Sequence, residues 1–190
     1  MNTAAKIRNV LLGFGVAALC GLPALAQSGS MHAMSKSSSS SSLSTSDRQF
    51  IKKAAEGGLA EVELGQLAEQ KASSDAVKSF GKRMVDDHTK ANDKLKQVAS
   101  DKGVTVPDTL SAKDKMLKAS LSKLSGEQFD KAYMKDMVKD HTADVQEFRK
   151  ESTAAQDSEV KNFASETLPT LESHLKEAQN INSEKLAYTK

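Results

Sequence analysis

Phe80, Met84, His88, Ala91, Leu95 and Val98 recur at steps of four, four, three, four and three, a spacing that gathers side chains onto one face of an α-helix and spreads them over both faces of a strand. Phe129, Tyr133, Met137, His141, Val145 and Phe148 draw a second stripe of the same kind. Each stripe passes through nearly the same six letters, MVDDHT at 84–89 and MVKDHT at 137–142, so two of the four histidines hold one repeated core position. A third stripe carries Leu168, Leu171, Leu175 and Ala178, with His174 at its edge. A fourth carries Phe50, Ala54, Gly58, Glu61, Gly65 and Ala68, and Glu61 is its one charged residue.

The stops and starts agree with helices throughout. Ser46-Asp47-Arg48-Gln49 reads as a capping box that opens a helix running to about Lys71. Ser73-Ser74-Asp75 restarts the chain, and the next helix runs to Lys102, before Gly103 and Pro107. Ser111 and Asp114 predict a short helix over 112–122. Ser125-Gly126-Glu127-Gln128 is a second capping box, opening a helix to about Thr153, and Asp157 or Ser158 caps a last helix that fades at Asn180. No stretch alternates with strand period, so the class is all-α: four long helices and a short one in one bundle over 47–181. About 135 residues suffice for one core. The two short connections make antiparallel hairpins. The link between the hairpins, roughly 23 residues, can cross the bundle from end to end or cap one end of an up-down-up-down bundle. Gly57, Gly58 and Gly65 cost helix propensity and are read as places where a neighbouring helix comes close. Pro169 should kink the last helix. Arg83–Asp87 and Asp86–Lys90 read as ordinary surface pairs.

The first 26 residues read as a cleaved signal peptide. Lys6 and Arg8 precede an apolar run from Val10 to Leu25, and Ala24-Leu25-Ala26 supplies the small-x-small cleavage pattern. At roughly 15 residues the run is short of the about 20 needed for a transmembrane span. Lipid attachment at Cys20 is disfavoured, because Leu19 stands where a small residue is required. The expected compartment is the periplasm. Residues 27–46 are mostly serine and read as a flexible linker holding His32, and residues 182–190 read as a C-terminal tail. Without Lys6 and Arg8 the basic residues number 25, equal to the 25 acidic ones. A neutral chain without a basic block has no electrostatic grip on nucleic acid.

At about 1.5 Å per residue, Glu61 lies roughly 21 Å along its helix, His88 about 20 Å, His141 about 22 Å and His174 about 24 Å, so all four converge on one mid-bundle layer. Two chemistries fit that layer. Neutral imidazoles and a carboxylate can hold a divalent metal such as zinc, iron, copper or manganese. Asp87 and Asp140, each one residue before a histidine, lie about 100° round the helix and suit hydrogen bonding behind the ligands. Alternatively the layer is purely structural, each imidazole bonded to Glu61, Thr89, Thr142 or water.

The runs FIKKAAEGGLAEVELGQLAEQKA (50–72), FGKRMVDDHTKAN (80–92), YMKDMVKDHTADVQEF (133–148) and TLPTLESHLKEA (167–178) resemble the bacterial exported family of ferritin-like domains of unknown function, whose older label is "predicted outer membrane protein". The resemblance implies a ferritin-like four-helix bundle in the cell envelope. It also implies that Glu61 corresponds to the first-helix glutamate of a di-iron centre, and His88 and His174 to the histidines of the second and fourth helices. Val85 and Leu171 stand where that pattern has glutamates, and His141 replaces the third-helix glutamate, so one metal or none fits better than a di-iron centre.

No Walker loop, Gly-x-Ser-x-Gly elbow or dinucleotide fingerprint is present. The leading reading is a non-enzymatic envelope protein that binds a metal or a protein partner, in a stress role that rests on the resemblance. A redox or peroxide-active metalloenzyme and a metal-free structural bundle are the alternatives. The leader reading makes a direct prediction: exported protein should begin at Gln27 without an acyl group. An intact mass that retains Cys20 with lipid attached would overturn it.

Overall fold

The computed structural model describes residues 42–187, which form five helices and no strand. They are α1 (Thr45–Lys71), α2 (Asp75–Asp101), α3 (Ala112–Ser122), α4 (Gly126–Ala154) and α5 (Ser158–Ala187). The leader, Cys20, His32, most of the serine linker and residues 188–190 lie outside the described residues. No helix among the described residues is long and apolar enough to cross a membrane.

The helix starts differ from the capping boxes in instructive ways. Ser44, not Ser46, caps α1, its hydroxyl accepting from the Asp47 backbone N–H at 3.0 Å. Leu43 packs against the core, so the bundle begins inside the stretch read as linker. Ser125 stands at the N-cap of α4 but makes no side-chain cap bond, and Gly126 takes a left-handed φ of 59° there. Asp157 does cap α5, accepting from the N–H groups of Glu159 at 2.9 Å and Val160 at 3.2 Å. Past Asn180, where the sequence reading ends the helix, α5 continues to Ala187 because Ile181 is still buried in the core. Gly103, at φ 63°, ends α2 as expected.

Two apolar clusters reveal how the helices run. One gathers Leu64, Leu67 and Ala68 near the end of α1 with Phe80 and Met84 from the first half of α2, Phe129, Tyr133 and Met137 from the first half of α4, and Ala178 and Ile181 from α5. The other joins Phe50 and Ile51 at the start of α1, Leu95 and Ala99 at the end of α2, Val145 and Phe148 of α4, and Val160 and Phe163 at the start of α5. The end of α2 and the start of α4 therefore lie at opposite ends, and the 102–125 link spans the bundle. α1 packs on α2 and α4, and α5 on α4 and α2, while α3, in the link, lies against α1 and α4.

Each hairpin ties down the turn of the other. Asp47 of α1 is fully buried and accepts the N–H groups of Gln156 (3.2 Å) and Asp157 (2.9 Å) in the α4–α5 turn. Asp130 of α4, equally buried, accepts from Ser73 N–H (3.0 Å), Ser73 Oγ (2.8 Å) and Ser74 N–H (3.0 Å) in the α1–α2 turn. These charge-assisted bonds satisfy turn amides that the short connections leave unpaired. The same sequence offset separates Asp47 from Asp130, Ser73 from Gln156, Val77 from Val160, Phe80 from Phe163 and Gly81 from Ala164. The bundle is built on an internal repeat.

α1 and α2 touch at small residues. A Cβ on Gly65 would lie 2.6 Å from the Gly81 carbonyl oxygen, and one on Gly58 would meet the Asn92 side chain. Gly57, also read as a close-approach position, has open space where its Cβ would be, so that expectation fails for it. The two sites should respond oppositely to alanine. Gly65→Ala must move backbone and should cost about 1–3 kcal/mol. Gly57→Ala should stabilise by about 0.5–1 kcal/mol through helix propensity alone. Urea denaturation of the two variants checks both signs.

Candidate metal centre

Three histidines occupy the layer between the apolar clusters, flanked along their helices by Met84, Met137 and Ala178 of one and by Leu95, Val145 and Leu171 of the other. His88 comes from α2, His141 from α4 and His174 from α5, and they are 6%, 0% and 0% exposed. Each offers a ring nitrogen, and these atoms lie within 4.8 Å of one another. Ring centroids stand 5.7 Å apart for His88–His141 and 5.4 Å for each of the other two pairs. His174, expected at the edge of its stripe, is as deeply buried as His141.

Hydrogen bonds decide which nitrogen His141 and His174 leave free. His141 Nδ1 lies 3.0 Å from the Met137 carbonyl oxygen, which can only accept, so Nδ1 carries the proton and Nε2 the lone pair. His174 Nε2 lies 2.9 Å from Asp87 Oδ2, so Nε2 donates and Nδ1 keeps the lone pair. The leftover atoms, His141 Nε2 and His174 Nδ1, are buried without a partner, and so is His88 Nε2. Asp87 is held in turn by Arg83 Nε at 3.3 Å, and Arg83 reaches Glu177 and Ser173 on α5. Arg83–Asp87 is therefore no ordinary surface pair, because it orients His174. Asp86 pairs with Lys82 at 2.8 Å rather than with Lys90, whose ammonium stands 3.9 Å from Asp87.

Burial also fixes the protonation of the rings. Desolvation, with repulsion from the other two rings, holds His88 well below the ordinary imidazole range. Desolvation, helped by His174, brings His141 down to about 4. His174 is lowered by burial in spite of the opposing pull of Asp87. All three are neutral near pH 7, the form in which an imidazole donates to a metal.

Glu61 of α1 lies in the same layer but outside the three-nitrogen cluster. Its Oε1 stands 4.0 Å from His141 Nδ1, the nitrogen occupied by Met137, and its Oε2 is buried without a partner. Burial, then the neighbouring Asp140, push its carboxyl well above the usual range. Asp140 thus adjoins Glu61 rather than bonding behind a histidine, as Asp87 does. Sequence reasoning missed two features here. Tyr133, counted as core, buries its hydroxyl without a partner in the field of Glu61. Asp136, Asp140 and Asp144 form an acidic row at steps of four on α4, a spacing visible in the sequence one residue away from the His141 stripe.

The chain belongs to the family described as Domain of unknown function (DUF4142), which matches residues 32–181. No curated protein matches the chain. Among solved structures, it is similar to the crystal structure of a DUF305 fragment from Deinococcus radiodurans. The TM-score is 0.66 and the identity 14%, over 75% of this chain and 98% of that one. At that identity the likeness establishes a shared fold.

The acidic row carries a prediction for the metal-free protein. Burial first, then Asp140 and Glu147, raise the Asp144 carboxyl from 3.8 to about 7. At low pH it is protonated in both folded and unfolded chains. As pH rises, the unfolded chain loses the proton first, so the stability held below the unfolded value is lost progressively up to about pH 7. Asp144→Asn stays neutral, so its stability relative to wild type should grow over that window and level off above it. Urea midpoints taken at about pH 4 and about pH 8 test this. A gap that does not widen would mean that Asp144 is ionised in the fold.

Proposed function

We propose that this member of the DUF4142 family is an exported bundle of ferritin-like topology that binds one divalent cation through His88, His141 and His174. The observation that carries the reading is the set of three buried imidazoles, each with a ring nitrogen lacking a partner, that three helices bring within 4.8 Å of one another. An unsatisfied buried polar atom costs about 1–3 kcal/mol, and a shared cation satisfies all three at once. The donors are nitrogen, which suits zinc or divalent copper best, iron less, and oxygen-seeking manganese least. Asp87, backed by Arg83, orients His174 in the way that carboxylates orient metal-bound imidazoles. Glu61 completes the polar layer beside His141 and serves as a fourth ligand if its carboxylate turns from Asp140 towards the rings.

The ferritin-like assignment is supported by two antiparallel hairpins joined by an end-to-end link. A di-iron centre is not supported, because Val85 and Leu171 supply no carboxylate. Binding rather than turnover is the role proposed, in the periplasm, where the leader would deliver the chain. Protection of the envelope under stress is consistent with holding a metal out of solution.

Elemental analysis of protein purified from its native compartment, alongside melting of the metal-free chain, tests the reading. One equivalent of metal is expected, and zinc or copper at a hundredfold excess over Kd should stabilise the fold by about 2.7 kcal/mol. His88→Ala and His141→Ala should each abolish that gain. Asp87→Asn should weaken affinity by about 10- to 100-fold. If zinc, copper, iron and manganese all leave the wild-type melt unmoved, the layer is a metal-free polar core.

A further inference from the structure

The three histidines are buried, so a cation needs a way in, and two cavities that share walls approach the cluster at His88. The outer one, about 220 Å³, opens between α1, α3 and α4. Its charged lining is Glu56, Asp114, Asp140, Asp144 and Glu147 against Lys53 and Lys113. The inner one, about 20 Å³, touches His88 together with Asn92 and Thr167. The two share Ala54, Gly57, Asp144 and Phe148 as walls.

We propose that this cleft is the route by which a divalent cation reaches the three histidines, with Gly57 and Asp144 as its inner neck. The proposal rests on the cation-binding reading of His88, His141 and His174. Three independent observations support the route. The excess of carboxylates in a walled cleft concentrates cations at its mouth. The inner cavity has room for about one water-sized body, so an ion passing through must shed most of its hydration. The neck ends on His88, more than nine-tenths buried, whose Nε2 has no partner. Gly57 explains itself in this setting. Mid-helix glycine costs stability, no neighbour needs the space a Cβ would fill, and Gly57 lines both cavities. Asp144 occupies in the second hairpin the position that Glu61 occupies in the first, so an acid from each hairpin faces the polar layer.

A third cavity, of about 220 Å³, reaches the inner one from the α2–α5 side through Ala91 and Thr167. Its charged lining balances Asp87 and Glu166 against Lys90 and Lys94, so it draws cations less.

Stopped-flow uptake of Co(II) by the metal-free mature chain, read by its visible absorption, tests the route. Gly57→Leu adds a helix-favouring side chain in open space, so the variant should fold at least as well as wild type. It should take up and release Co(II) more slowly in the same proportion, leaving Kd near the wild-type value. At about pH 8, where Asp144 is ionised in the fold, Asp144→Asn should slow uptake at low salt by on the order of tenfold and flatten its salt dependence. Glu166→Gln, on the α2–α5 side, should leave the rate unchanged. Wild-type uptake rates in both Gly57→Leu and Asp144→Asn, with Co(II) still bound, would overturn the route and leave the site. Failure of the wild-type chain to bind Co(II) at all would overturn both.

Discussion

The rest of the bundle is arranged around an expensive layer: three neutral imidazoles, a carboxyl and a phenol buried at mid-height with Glu61 Oε2, His88 Nε2, Tyr133 OH, His141 Nε2 and His174 Nδ1 lacking partners. In a low-dielectric interior such groups oppose folding unless something satisfies them. What offsets them lies above and below. Aromatic rings close the layer at both ends, with Phe80 packed edge-on to His141 and His174 on one side and the Phe50–Phe148–Phe163 group on the other. The layer survives because two apolar clusters fold the chain on either side of it.

Register is the second requirement, since three nitrogens from three helices meet only if no helix slides. The buried carboxylates of Asp47 and Asp130 supply that register. Each fixes the turn of the opposite hairpin near the start of a helix, so one hairpin cannot shift along the other without unpairing these turn amides. Lys102 adds a tie at one end, pairing with Asp157 at 2.8 Å and Glu159 at 3.0 Å. This frame is repeated between the hairpins, but the layer it holds is not. By the same offset Gly58 answers to His141, His88 to Leu171 and Ala91 to His174. A symmetric scaffold thus carries an asymmetric cluster, which is the pattern expected when packing and chemistry place separate demands on the same helices.

The helices and the histidine layer were legible in the sequence because both depend on periodicity, which local order preserves. Phe80 to Leu95 and Phe129 to Phe148 had to share one face each, and equal heights along four helices had to converge. What the sequence hid depends on contacts between distant segments. Asp47 reads only as part of a capping box and Asp130 is not singled out, since nothing local says that a turn on the other hairpin needs them. The orientation of the link stayed open because a run of that length satisfies either topology. Glu61 was grouped with the histidines on height and on the family resemblance. Height cannot tell which edge of His141 a side chain faces, and the Met137 carbonyl settles that edge. Arg83 looked like half of a surface pair until Asp87 was seen to reach across to His174.

The electrostatics of the layer and of the acidic row beside it point the same way. Burial lowers the affinity of the rings for protons and raises that of Glu61 and Asp144, so the metal-free centre carries little charge of either sign. That neutrality lets ionisable groups stay buried together, and a divalent cation would disturb it. Two positive charges among the rings would lower the carboxyl pKa values nearby, so Glu61 and then Asp144 would give up protons as the ion arrived. On that reading the acids would act as a counter-charge that appears only with the ion. A permanently ionised set would instead repel itself, with Asp136, Asp140 and Asp144 all on one face of α4. The neutral rings and the raised carboxyls lie on adjoining sides of His141, an arrangement that, on the proposed reading, would let one centre stand folded both with and without a cation.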